Sequence, residues 1–157
     1  IVKGIKQTSR DMVAPVPIVG VKAMRWVAKN IRIWPKKLGA KKANHYLGQI
    51  VRMQEEIGTG GGGFRYIYAA FLQEASQVLQ NDKLMDLSKE MTSIGDAWRD
   101  FAVDASRIYK KRNSESNGYE DVSIQLEALA DKEEAFLKRY ERRYRNSTNF
   151  KRGITKL

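Results

Sequence analysis

The chain has 157 residues, 42% hydrophobic and 30% charged, with 29 Lys and Arg against 18 Asp and Glu and a net charge of +11. That length makes one domain able to bury a core unaided, and no uninterrupted apolar run approaches the roughly 20 residues of a transmembrane helix. The absence of cysteine excludes disulfides, thiolate metal ligands and a cysteine nucleophile from this chain.

All three prolines precede residue 36, which leaves the rest of the chain free for long helices. Pro15 and Pro17 hold the residues before them extended, so residues 1–17 are expected to form an irregular linker. A chain that begins at Ile1 reads as a piece of a longer protein. No secretion signal is visible, and a cytoplasmic location is expected. From Ile18 onward, Val21, Met24, Val27, Ile31 and Trp34 recur every three or four residues, the period of an amphipathic helix. Pro35 is expected to stop or kink it. Lys22, Arg25, Lys29 and Arg32 interleave with Trp26 and Trp34. Such a helix either lies on an anionic membrane surface or packs in the core with a solvated basic face. The packed helix is the expectation here, and a membrane partner is not.

Ala43, Tyr46, Leu47, Ile50, Met53 and Ile57 form the next apolar stripe. His45, the single histidine, falls on the opposite face with Gln49, Arg52 and Glu56, without the cysteine or carboxylate spacing of a metal site. Phe64, Ile67, Tyr68, Phe71, Ala75 and Val78 make a third stripe. Asn81 or Asp82 is a suitable N-cap for the most regular run in the chain. There Leu84, Leu87, Met91, Ile94, Trp98, Phe101, Ala105 and Ile108 alternate steps of three and four. After a polar turn at 113–118, Val122, Leu126, Leu129, Phe136 and Tyr140 resume the spacing, with Glu133 the polar exception. Two long helices about a short turn should fold back as an antiparallel hairpin. No segment alternates like a strand. The expected fold is all-α: a bundle of about five helices over residues 18–146, with the long antiparallel helical hairpin at its C-terminal end, then a frayed basic tail over 147–157.

Between the second and third stripes stands Gly58-Thr59-Gly60-Gly61-Gly62-Gly63-Phe64-Arg65. A glycine inside a helix costs roughly 1 kcal/mol against alanine, so five in six residues should break the helix. One glycine suffices to end a helix. The surplus reads either as a flexible joint or as bare backbone that bends sharply or lies close to a ligand. It is not a P-loop, because Phe64-Arg65 follow Gly63 where Lys-Ser/Thr would stand, nor a dinucleotide fingerprint, because no strand precedes it. Free N–H groups at the start of the next helix, with the cationic Arg65, favour an anionic group there.

The run Gly60-Gly61-Gly62-Gly63-Phe64-Arg65-x-x-Tyr68-x-x-Phe71-Leu72-x-Glu74-Ala75 and the later Asp96-Ala97-Trp98-Arg99-Asp100-Phe101-Ala102 resemble a family signature. The family is the C-terminal helical domain, itself of unknown function, of proteins related to butirosin-biosynthesis protein H. The resemblance spans Trp34 to Ala105. It implies an upstream cysteine-dependent acyltransferase domain that moves an acyl group from an acyl carrier protein to an amine. Without that cysteine, no activity carries over to this chain. The resemblance therefore implies a non-catalytic domain, with no cofactor or metal of its own, that completes the acyl- and carrier-binding region. Candidate ligand-binding residues are Gly60, Gly61, Gly62, Gly63, Phe64, Arg65 and Tyr68. Candidate interdomain residues are Trp98 and Arg99, although Trp98 also lies on the core stripe. Asp96, Asp100 and Asp104 repeat every four residues, as a solvated helix face does.

Two separated blocks account for the positive charge. Residues 22–42 hold eight basic residues and no acidic one, and residues 138–157 hold eight basic residues against Glu141. Such an excess speaks of partners. The resemblance implies an acidic acyl carrier protein, whose encounter a basic face would steer. Nucleic acid is the alternative, though no helix-turn-helix spacing, zinc finger or aromatic RNA-binding signature is present. A structural module, forming a homodimer through the heptad stripe, is the third.

Overall fold

The computed structural model describes residues 7, 8, 10–13, 19–57, 61–110 and 118–145. Among the described residues there is no strand. Five long helices, α1 (Gly20–Leu38), α2 (Ala40–Glu55), α3 (Gly61–Val78), α4 (Asp82–Tyr109) and α5 (Gly118–Arg145), pack into the expected all-α bundle. The C-terminal hairpin is α4 with α5, 28 residues each. Its antiparallel sense is visible in its cross-links: Glu90 meets Arg139, Trp98 meets Glu133 and Asp104 meets Gln125, one number falling as the other rises. The turn expected at 113–118 and the tail at 147–157 lie outside the described residues, apart from Gly118 at the start of α5.

Local chemistry sets most of the boundaries. The Asn81 side chain accepts a hydrogen bond from the Lys83 N–H at 3.2 Å and so caps α4. Pro35 does not stop α1. It sits in the last turn, where its missing N–H removes a single ladder bond, and the helix runs on to Leu38. Gly39, at φ 77°, ends it in a conformation that only glycine adopts readily. Within the segment expected to be irregular, residues 7, 8 and 10–12 are helical, and Met12 and Val13 pack against the core. A proline restricts chiefly the one residue before it, which leaves a short helix open to the residues further upstream.

The heptad run of α4 is spent inside one chain. Leu84, Leu87, Met91, Ile94, Trp98, Phe101 and Ala105 are all buried, against α3 on one side and α5 on the other. Two buried serines satisfy their hydroxyls across helices: Ser88 donates to the Ala69 carbonyl at 2.7 Å and Ser123 to the Ala28 carbonyl at 2.8 Å. Helix α1 runs antiparallel to α5 and is tied to it by charge. Arg25 pairs with Asp131 and Glu134, and Arg32 pairs with Glu120. Part of the first basic block is thus matched within the fold. Among the described residues, no helix is long and apolar enough to cross a membrane.

Candidate functional site

The break expected at the glycines falls earlier than the motif's end. Helix α2 stops at Glu55, and Gly61, Gly62 and Gly63 are already the first turn of α3; Gly60 lies outside the described residues. Gly62 faces α4. A Cβ added there would stand 3.2 Å from the Gly95 carbonyl oxygen and 3.3 Å from Arg99 Cγ, and one added at Gly95 would stand 3.0 Å from the Tyr66 ring. The two glycines let α3 and α4 approach closely. Tyr66 lies over the gap, its hydroxyl donating to Asp96 Oδ1 at 2.6 Å and its ring under the Arg99 guanidinium at 5.2 Å. Burial first, then the hydrogen bond to Asp96, pushes the Tyr66 hydroxyl pKa up. Gly63 is different: a Cβ there would meet nothing within 4 Å. Gly63→Ala is therefore expected to stabilise the domain by about 0.5–1 kcal/mol, while Gly62→Ala gains nothing or loses, a contrast that paired thermal melts will read.

On the opposite side of α3's first turns, Arg65 reaches α5. Its Nε and Nη2 donate to Glu133 Oε1 at 2.7 and 2.6 Å, and Trp98 Nε1 donates to the same oxygen at 2.7 Å. The guanidinium also stacks over the Trp98 ring at 4.9 Å. The Arg65 side chain is 17% exposed and that of Glu133 4%. The cation expected to await an anionic ligand is thus already matched by a carboxylate from its own chain. Trp98, a candidate for interdomain contact, is buried in this cluster, because its indole N–H and ring both serve the Arg65–Glu133 pair. Arg99 does remain exposed. Sequence reasoning missed Glu133 as a site residue. The signal was its place as a lone carboxylate on an apolar stripe, since a buried charge requires a partner.

Beside the pair opens a cleft of about 330 Å³ whose walls are Phe64, Tyr68, Met91, Phe136 and Leu137, with Met12 from the N-terminal helical stretch. Thr8, Arg65 and Glu133 also line it. Phe64 is half exposed at the cleft edge. Tyr68 stacks on Phe71 at 5.8 Å and meets Phe136 edge-on at 6.5 Å. Burial pushes its hydroxyl up to about 12, so it stays protonated. A second cleft, of about 490 Å³ and lined by Met24, Val27, Ile50, Met53 and Trp98 among others, shares Met12 and Arg65 with the first. The sequence candidates Phe64, Arg65 and Tyr68 are therefore brought to one concavity. Gly62 is turned to α4 instead.

Among the described residues there is no group of three or more His, Cys, Asp or Glu placed to hold a metal ion, and His45 is exposed on α2. Asp96 and Asp100 are exposed, while Asp104 accepts from Arg107 and Gln125. Residues 1–140 match the family described as a domain of unknown function (DUF4872), and the chain belongs to that family. The match reaches beyond the Trp34–Ala105 stretch on both sides. No curated protein and no solved structure matches the chain.

Proposed function

We propose that this DUF4872 domain is the non-catalytic helical part of an acyltransferase-like protein similar to butirosin-biosynthesis protein H, and that it receives the acyl end of a carrier-bound thioester. The observation that carries this reading is the cleft beside Arg65 and Glu133, with its apolar, aromatic walls and a single charged pair in its lining. A chain with an apolar tail and a polar head matches that arrangement. The tail lies along Phe64, Tyr68 and Phe136, and polar groups of the linker meet the Tyr68 hydroxyl and the Arg65–Glu133 pair. At about 330 Å³ the space is near the lower end of small-molecule sites, which suits a short acyl group. The chemistry itself is assigned to a cysteine outside this chain.

The test is a calorimetric titration of the domain with acyl-pantetheine thioesters of increasing chain length. Each methylene that enters the cleft should raise affinity about fourfold, as burial of one CH₂ contributes roughly 0.8 kcal/mol, until the cleft is full. Phe64→Ala should weaken binding about tenfold with little change in melting temperature, because Phe64 is half exposed. Binding that ignores chain length, or is untouched by Phe64→Ala, would remove the cleft from the proposal.

A further inference from the structure

The outer face of α1 carries a pattern that the core does not use. Val19, Trp26 and Ile33 are spaced seven apart and are 40%, 62% and 44% exposed. Lys22, Lys29 and Lys36, also seven apart, are exposed beside them. An α-helix drifts only about 20° over seven residues, so Trp26 with Ile33, and the three lysines, each form one stripe along the helix, while Val19 is the extended residue just before it. The arginines that alternate with these lysines are engaged by another helix. Arg25 is held by Asp131 and Glu134, and Arg32 by Glu120, all on α5. Lys138 and Arg25 together hold the Glu134 carboxyl below the usual carboxylate range. Helix α1 therefore holds its guanidiniums against carboxylates of α5 and leaves Lys29 and Lys36 exposed beside an exposed indole.

We propose that this face of α1 docks the protein on an anionic lipid surface, with Trp26 and Ile33 entering the boundary between headgroups and acyl chains and the lysine stripe meeting the phosphates. Charge complementarity selects an anionic partner, since residues 22–42 contain no acidic residue and Lys41 and Lys42 at the start of α2 extend the exposed positive field. The apolar stripe selects among anions. Nucleic acid would satisfy the lysines and leave Val19, Trp26 and Ile33 against a polar backbone. A bilayer takes both: tryptophan settles at headgroup level, and lysine stems lie along apolar surface while their ammoniums rise to the phosphates. The face runs the length of the helix and lines neither of the two clefts. Such a face suits a broad, deformable layer, as surface-lying amphipathic helices do.

The experiment is co-sedimentation of the full chain with phosphatidylcholine vesicles, with and without phosphatidylglycerol, beside duplex DNA and polyglutamate as rival polyanions. Partitioning should be about tenfold or more stronger on the anionic vesicles and should weaken with salt. The double variant Trp26→Ser/Ile33→Ser should lose about tenfold, and so should Lys29→Glu/Lys36→Glu, with thermal melts unchanged because all four side chains are exposed. Brominated lipid should quench wild-type fluorescence and largely fail to quench Trp26→Phe, although Trp34 and Trp98 remain. Equal binding to neutral vesicles overturns the proposal. So does anionic binding that survives Trp26→Ser/Ile33→Ser, or tighter binding to DNA or polyglutamate to which Trp26 contributes nothing.

Discussion

Glu133→Ala is expected to destabilise the domain by about 3–5 kcal/mol, the range for removing one partner of a buried ion pair. The substitution leaves the Arg65 guanidinium, 17% exposed, without its carboxylate and the Trp98 indole N–H without its acceptor. Trp98 is buried, so its N–H must then reach water through an adjoining cleft or stay unsatisfied, and the guanidinium loses the carboxylate that neutralises it. Against a total stability of about 5–15 kcal/mol for a domain, that loss should be plain in urea melts. Glu133→Gln should cost less, because an amide oxygen still accepts from Trp98. The double variant Arg65→Met/Glu133→Leu should recover the part of the loss owed to the guanidinium, since apolar residues of similar volume often replace a buried pair at little cost, but not the part owed to the Trp98 N–H, which still lacks its acceptor. If Glu133→Ala proves no worse than Glu133→Gln, water reaches the pair freely and the cluster is weaker than its geometry implies.

Gly95→Val is expected to cost about 1–3 kcal/mol, the range for overpacking a tight interface. The first added carbon alone would stand 3.0 Å from Cε1 and Cζ of Tyr66. That ring cannot swing aside without loss, because its hydroxyl is tied to Asp96 at 2.6 Å and Arg99 lies over its face. Helix propensity works the other way, valine being the better helix former, so any loss measures packing. In a Tyr66→Ala background the penalty should largely vanish, and the coupling in a double-mutant cycle isolates the contact. A penalty that persists without the ring would place the restriction in the backbone approach of α3 to α4.

Periodicity alone placed five helices and the long hairpin, and of the two N-cap candidates, Asn81 and Asp82, the cap is Asn81. These features rest on the burial of one helix face and on hydrogen bonding within a few residues, both of which are written locally. The apolar stripe of α4 proved buried at seven of its eight positions, with Ile108 partly so. Phe64, Arg65 and Tyr68 were also legible as a group, because positions one, two and five of a short run share the start of one helix. The glycine run was read either as a joint or as backbone lying close to a ligand, with Gly62 among the candidate ligand contacts; in the fold Gly62 faces Gly95, 33 residues on.

What the chain left open are the questions of which face meets which. A stripe shows that Glu133 must be buried, but only the bundle sets it against Arg65, 68 residues away, and against Trp98. With that pairing the expected anion site becomes an internal cluster beside a cleft. Trp26 and Trp34 are eight residues apart in one helix and alike in chemistry. Packing against α5 and α2 put Trp34 beside Tyr46 at 5.6 Å and left Trp26 62% exposed among lysines. The short helix near Met12 depends in the same way on a core that receives it, since so few residues do not hold a helix alone. Local propensity and periodicity determined the helices; the pairing of their faces, which fixes where each charge and each indole ends, was decided only when they packed.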